Sequence, residues 1–146
     1  MQLIASLKKT TSPLAIAFAV AMCLMLGCYS SGGPDLGYVE GNVTLDGKPL
    51  DDAKVQFEPD NARPSIAYTD GSGHYVLQFT GTRDGAAIGT HTVRIFSARG
   101  SSGGEGDGPL VKARPELLPA SYNDKSTLVA EVKSGNNTFD FDLKSK

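Results

Sequence analysis

The chain has no tryptophan, only two histidines and only two cysteines in 146 residues. Both cysteines, Cys23 and Cys28, fall in or just after an apolar N-terminal stretch. The rest of the chain therefore has no thiol for a disulfide or a thiolate metal site. His74 and His91 stand seventeen residues apart with no Glu or Cys at a ligand spacing, so they carry no zinc signature. There is no phosphate-binding G-x-x-x-x-G-K and no G-x-G-x-x-G, and Gly71-Ser72-Gly73 reads as a turn. Beyond the N-terminus no segment keeps a 3.6-residue apolar period, which excludes a helical bundle. A basic stripe is also missing: 14 Lys and Arg stand against 16 Asp and Glu, which argues against a nucleic-acid partner.

What is present begins with Lys8 and Lys9, an apolar run over residues 14–26, then Gly27 and Cys28. A positive segment followed by a short apolar run is the pattern of an export leader, and the run is shorter than the roughly 20 residues a spanning helix needs. Met25-Leu26-Gly27-Cys28 resembles the lipobox of bacterial lipoproteins, with Met25 where Leu is commonest. That resemblance implies a signal peptide over residues 1–27 and lipidation of Cys28; Cys23, preceded by Met22, lacks the small residue. The alternatives are an ordinary secretory signal with an incidental cysteine and an uncleaved anchor. Several acyl chains on Cys28 give stable attachment where one would not. Residues 28–37, small and polar, read as a flexible tether to a domain spanning residues 38–146.

The domain alternates apolar and polar residues in short runs, the period of strands with one buried face. Val43 and Leu45, then Ala53, Val55 and Phe57, flank Asp46-Gly47, and this predicts a hairpin over residues 41–57. Ile66 and Tyr68 are expected to face the core, and Tyr75, Leu77 and Phe79 share a face across Asp70-Gly71-Ser72-Gly73, a second expected hairpin. Gly81, Gly85 and Gly89 punctuate a loop with Arg83 and Asp84. His91, Val93 and Ile95 mark another strand. Leu128, Ala130 and Val132, then Phe139, Phe141 and Leu143 across Gly135, predict a closing hairpin. Residues 98–121 form one long irregular loop whose Gly/Ser/acid run has little apolar surface to bury and is expected to be mobile. The pattern predicts an all-β fold, a seven-stranded antiparallel sandwich.

Val39-x-Gly41-x-Val43-x-Leu45-x-Gly47-Lys48-Pro49-Leu50-x-x-Ala53-x-Val55-x-Phe57, then Thr69-Asp70-x-x-Gly73-x-Tyr75 and Gly89-x-His91-x-Val93, resembles the carboxypeptidase regulatory-like (transthyretin-like, prealbumin-like) domain. Leu118-Pro119-x-x-Tyr122-Asn123-x-x-Ser126-Thr127-Leu128 and Val132-x-x-Gly135-x-Asn137-Thr138-Phe139-x-Phe141-x-Leu143 are similar to small bacterial lipoproteins carrying one such domain. The resemblance implies a Greek-key β-sandwich that accompanies peptidases or receptors without being their catalytic part. Hydrolases of the transthyretin-like fold use His and Arg residues with a Tyr-Arg-Gly-Ser C-terminus; this sequence ends Leu143-Lys-Ser-Lys146, a departure that speaks against turnover.

Weighed residue by residue, no site emerges. Asp51, Asp52, Glu58, Asp60 and Asp70 lack the D-x-[DN]-x-[DN]-G calcium spacing and read as solvated turns. Lys54 alternates with core residues and is expected to face water. Tyr38 and Phe96 fall opposite the core, too few for a glycan platform. The expectation is a non-enzymatic lipoprotein without cofactor or metal, held to the bacterial envelope through its N-terminal lipid. It would act as a structural or protein-interaction module, the alternative being an extracellular carbohydrate- or peptide-binding module. Tyr29, in place of the Asp that retains lipoproteins at the inner membrane, points to the outer one.

Overall fold

The computed structural model describes residues 33–104, 106 and 108–145. The expected leader, Cys28 and residues 29–32 of the expected tether lie outside the described residues. In chain order the strands are β1 (Leu36–Leu45), β2 (Lys48–Pro49), β3 (Lys54–Pro59), β4 (Ser65–Tyr68), β5 (His74–Val76), β6 (Gln78–Thr80), β7 (Arg83–Asp84), β8 (Ala86–Ala87), β9 (Gly89–Phe96), β10 (Leu128–Val132), β11 (Asn136–Thr138) and β12 (Phe141–Leu143). Among the described residues the sole helical element is a 3-10 turn at Ala120–Tyr122.

Two sheets form an all-β sandwich. The first is built around β1, whose inward face is Gly37, Val39, Gly41 and Val43. Along one edge of β1 run β8, β5 and β2, antiparallel; along the other run β11 and β12, parallel. The second sheet, β10-β9-β3-β4-β6-β7, is antiparallel throughout. Between them Val39, Val43, Val55, Phe57, Leu77 and Ile95 are fully buried. Each such side chain removed from water contributes about 1.5–3 kcal/mol. Gly41 is required by packing rather than by its dihedrals. A Cβ there would lie 1.9 Å from the Phe139 carbonyl oxygen, so the C-terminal segment can cross β1 only over a bare backbone.

Asp46 and Gly47 both hold positive φ, 52° and 80°, as the expected two-residue turn demands. The hairpin they make is short, pairing Thr44 with Pro49 and Leu45 with Lys48. Beyond Leu50 the chain crosses to the second sheet, where β3 pairs with β4 and β9 instead of returning along β1. The other two expected hairpins are also crossings: β4 lies in the second sheet and β5 in the first, and β10 pairs with β9 while β11 and β12 pair with β1. Alternation and a turn residue fix which side chains face inward, but a within-sheet hairpin and a between-sheet arch meet that demand equally well. The count and direction of strands differ too: the described residues hold twelve segments, with parallel pairing at β1. The glycine-punctuated loop with Arg83 and Asp84 contains β7 and β8.

In β4 the inward residues are Ser65 and Ala67, and Ile66 and Tyr68 are 38% and 64% exposed, the reverse of the expected facing. Register decides this. Val55 sits opposite Ala67 and Phe57 opposite Ser65, and directly opposed residues share a face. The Ser65 hydroxyl is buried without a partner, so this register accepts a polar cost in the core. Tyr75, Leu77, Phe79, His91, Val93, Ile95, Ala130, Val132 and Leu143 are buried as read, and Leu45, Leu128, Phe139 and Phe141 are half-buried against them.

Candidate functional site

β9 ends against the loop, and there Ser97 is fully buried. The Glu116 carboxylate folds back onto it, accepting hydrogen bonds from the Ser97 amide (3.1 Å), the Ser97 hydroxyl, the Ala98 amide (3.3 Å) and the Leu118 amide (3.0 Å). The Ser97 hydroxyl in turn accepts from the Leu117 amide at 2.7 Å. Partial burial opposes ionisation of Glu116, but this set of donors outweighs it and holds the pKa below the ordinary carboxylate value.

Arg114 supplies the second half of the clasp. It donates through Nε to the Ser97 carbonyl (2.8 Å), through Nη1 to Asp51 Oδ1 (3.1 Å) and through Nη2 to the Asp51 and Asp52 carbonyls (2.8 and 3.3 Å). Arg99 reaches the other Asp51 oxygen at 2.9 Å and Asp52 at 3.5 Å. Its hydrogen bond to Asp51, reinforced by Arg114, lowers the Asp51 pKa although partial burial acts in the other direction. Between these arginines the chain doubles back as a ribbon, with paired backbone bonds at Arg99–Arg114 and Ser102–Val111. The expected mobile segment thus has an ordered base. Sequence reading missed it because neither arginine follows an apolar period and the acids that hold them lie about fifty to sixty residues away.

The ribbon and the 51–52 turn enclose an open cleft of about 770 Å³ lined by Asp51, Asp52, Arg99, Ser102, Leu110, Val111 and Lys112. Leu110 is 63% exposed, and Val111 and Leu117 are also exposed. Chemically the cleft offers paired charges and a small apolar rim. Its lining holds the Ser102 hydroxyl but no histidine. Among the described residues no three His, Cys, Asp or Glu side chains converge as metal ligands.

The other singled-out residues are dispersed. His74 lies on β5, with Nε2 3.7 Å from Glu40 Oε2 on the outer side of the first sheet. His91 is in the core of the second sheet. It donates from Nε2 to the Ala87 carbonyl at 2.6 Å, Nδ1 has no partner, and the ring lies 5.7 Å from that of Phe57. A carbonyl can only accept, so the hydrogen sits on Nε2. Asp70 accepts from Ser72 Oγ, the Ser72 amide and the His74 amide, the turn role read from the sequence, and these bonds lower its pKa. Lys54 is on the outer face with Nζ 4.4 Å over the Phe96 ring, and the Tyr38 hydroxyl donates to Glu40 at 3.3 Å. Cys28 lies outside the described residues.

No family model matches the sequence, and no curated protein matches it. Two solved structures show a distant likeness. A DUF3823 family protein from Parabacteroides merdae ATCC 43184 is 16% identical, with a TM-score of 0.35, 77% of this chain covered and 46% of that one. A 9R-lipoxygenase from Cyanothece PCC8801 is 13% identical, with a TM-score of 0.37, 91% of this chain covered and 20% of that one. The chain therefore spans less than half the length of one and a fifth of the other.

Proposed function

We propose that the protein is a non-enzymatic, lipid-anchored β-sandwich of the bacterial envelope, and that it presents the 99–114 ribbon to a protein partner. The observation that carries this reading is the polarity of the sandwich. The described chain enters at the end where Leu36 pairs with Ala87, and the ribbon leaves from the end of β9, whose start at Gly89 lies beside Val132 near that same entry. β1 runs ten residues between the two ends, about 33 Å at strand rise. The ribbon thus stands at the end of the sandwich opposite Leu36. Its exposed Leu110 and Val111 beside Asp51, Arg99 and Lys112 suit the apolar centre and polar rim of a protein contact. The carboxypeptidase regulatory-like Greek-key assignment belongs to the same proposal and rests on the sequence motifs.

Two measurements separate the parts. Globomycin treatment or Cys28→Ser should block processing and release the protein from membranes; unchanged retention overturns the anchor. A photo-crosslinking residue at Val111 in cells should give a discrete protein adduct that the same residue at Ile88, at the entry end, does not give. Absence of that adduct overturns ribbon presentation.

A further inference from the structure

The register that turns Tyr68 outward also gives it neighbours. Tyr68 is opposite Lys54 on β3, and Lys54 is opposite Phe96 on β9. Directly opposed residues share a face, so the three side chains form one row across three strands on the outer side of the second sheet. Two strand spacings, about 10 Å, separate the strands that carry the two rings. Tyr68 is the open end of the row, and Lys54 holds its ammonium over the Phe96 ring at the other. The adjoining row is Ile66, Gln56 and Arg94.

Among the described residues no carboxylate lies within 4.0 Å of the Lys54 ammonium. The acids on either side of it in sequence are engaged elsewhere, Asp52 by Arg99 at 3.5 Å and Glu58 by Arg94 at 2.7 Å. The two rows therefore carry one unneutralised positive charge. β3 is paired along both margins, with β4 and β9, so its backbone has no free edge to offer. A ligand on this face is held by ring faces and side-chain tips alone.

We infer that this row binds an acidic sugar chain, a glycan containing uronic-acid units, laid across the strands from Tyr68 toward Phe96. A pyranose presents a flat C–H face, which suits the negative face of the Tyr68 ring. The carboxylate of a uronic-acid unit pairs with the Lys54 ammonium, which the Phe96 ring holds in place. The Gln56 amide nitrogen is committed to Glu58, and its carbonyl oxygen is left to accept from a sugar hydroxyl. Stacking selects a sugar over an extended peptide, which needs a strand margin for its backbone bonds. Charge complementarity selects the acidic sugar, because a neutral one would cover Lys54 without pairing it. This binding depends on neither the lipid anchor nor the ribbon.

The test uses the full chain in detergent micelles and three probes, tetragalacturonate, its methyl ester and tetraglutamate, read by calorimetry and amide NMR. Tetragalacturonate should bind saturably and about fivefold more tightly than the ester. Lys54→Met, which keeps the stem and removes the charge, should bring the two sugars level. Tyr68→Ala should weaken both about fivefold. Amide shifts on titration should centre on Lys54, Gln56, Tyr68 and Phe96. No saturable binding of tetragalacturonate, a preference unchanged in Lys54→Met, tetraglutamate bound as tightly, or shifts centred elsewhere overturns the inference.

Discussion

Tyr75 donates its phenolic hydrogen to the Phe139 carbonyl oxygen at 2.8 Å, tying β5 to a residue 64 positions later, between β11 and β12. Burial raises the phenol pKa, so the group stays protonated and donating at any ordinary pH. Tyr75→Phe should cost about 1–3 kcal/mol by leaving the carbonyl without this donor. Urea denaturation measures it; an unchanged midpoint would mean that water replaces the phenol at no cost.

The same carbonyl clears Gly41 only because that residue has no Cβ. Gly41→Ala must push β1 away from the C-terminal segment and should destabilise by at least about 2 kcal/mol. Gly71→Ala, with open space around the added methyl, should stay within about 0.5 kcal/mol. Equal effects of the two in thermal unfolding would contradict the crossing described here.

The facing of β4 is tested by size. Ala67→Leu inserts bulk opposite Val55 and should cost about 1–3 kcal/mol, whereas Tyr68→Thr, on the open face, should change stability by no more than about 0.5 kcal/mol. If Tyr68→Thr proved the more damaging change, the register would be off by one.

Arg114→Lys keeps the charge but loses the fork that serves Ser97, Asp51 and Asp52 together. Hydrogen exchange at the Ser102 and Val111 amides should accelerate about tenfold with exchange in β3 and β9 unchanged. Acceleration spread evenly over the sandwich would instead make Arg114 a general stabiliser.

Glu116 and Asp51 both have folded pKa values below their ordinary 4.5 and 3.8. A depressed folded value means that the contribution is fully present above the ordinary value and is lost as pH falls through the folded one. Protection factors in the ribbon should hold from neutral pH to about 4.5 and decline below it. Glu116→Gln should loosen the ribbon at neutral pH and flatten that decline; a wild-type profile in the variant would assign the acid sensitivity elsewhere.

The inward residues of β1, β3, β9 and β10 were legible because a two-residue period records facing. Their partners were not. Asp46-Gly47, Asp70 and Gly135 signal a reversal, and nothing local distinguishes returning along the same sheet from crossing to the other. Ile66 and Tyr68 misled because the larger apolar residues of β4 are the exposed ones, and only Val55 and Phe57 opposite reveal it. The Glu116 and Arg114 clasp was illegible for a different reason: its acceptors and donors come from residues 51–52, 97–99 and 114–118, and no spacing rule links them.

The parallel pairing of β1 with β11 and β12 also sets an order of events. Tyr38 waits for Asn136 and Val43 for Phe141, about a hundred residues later in synthesis. Until the segment through Leu143 is available, one whole margin of β1 stays open and the sandwich cannot close. Closure over such long sequence separations makes folding slow and late. A chain built this way keeps an unpaired β1 margin for as long as it is being made.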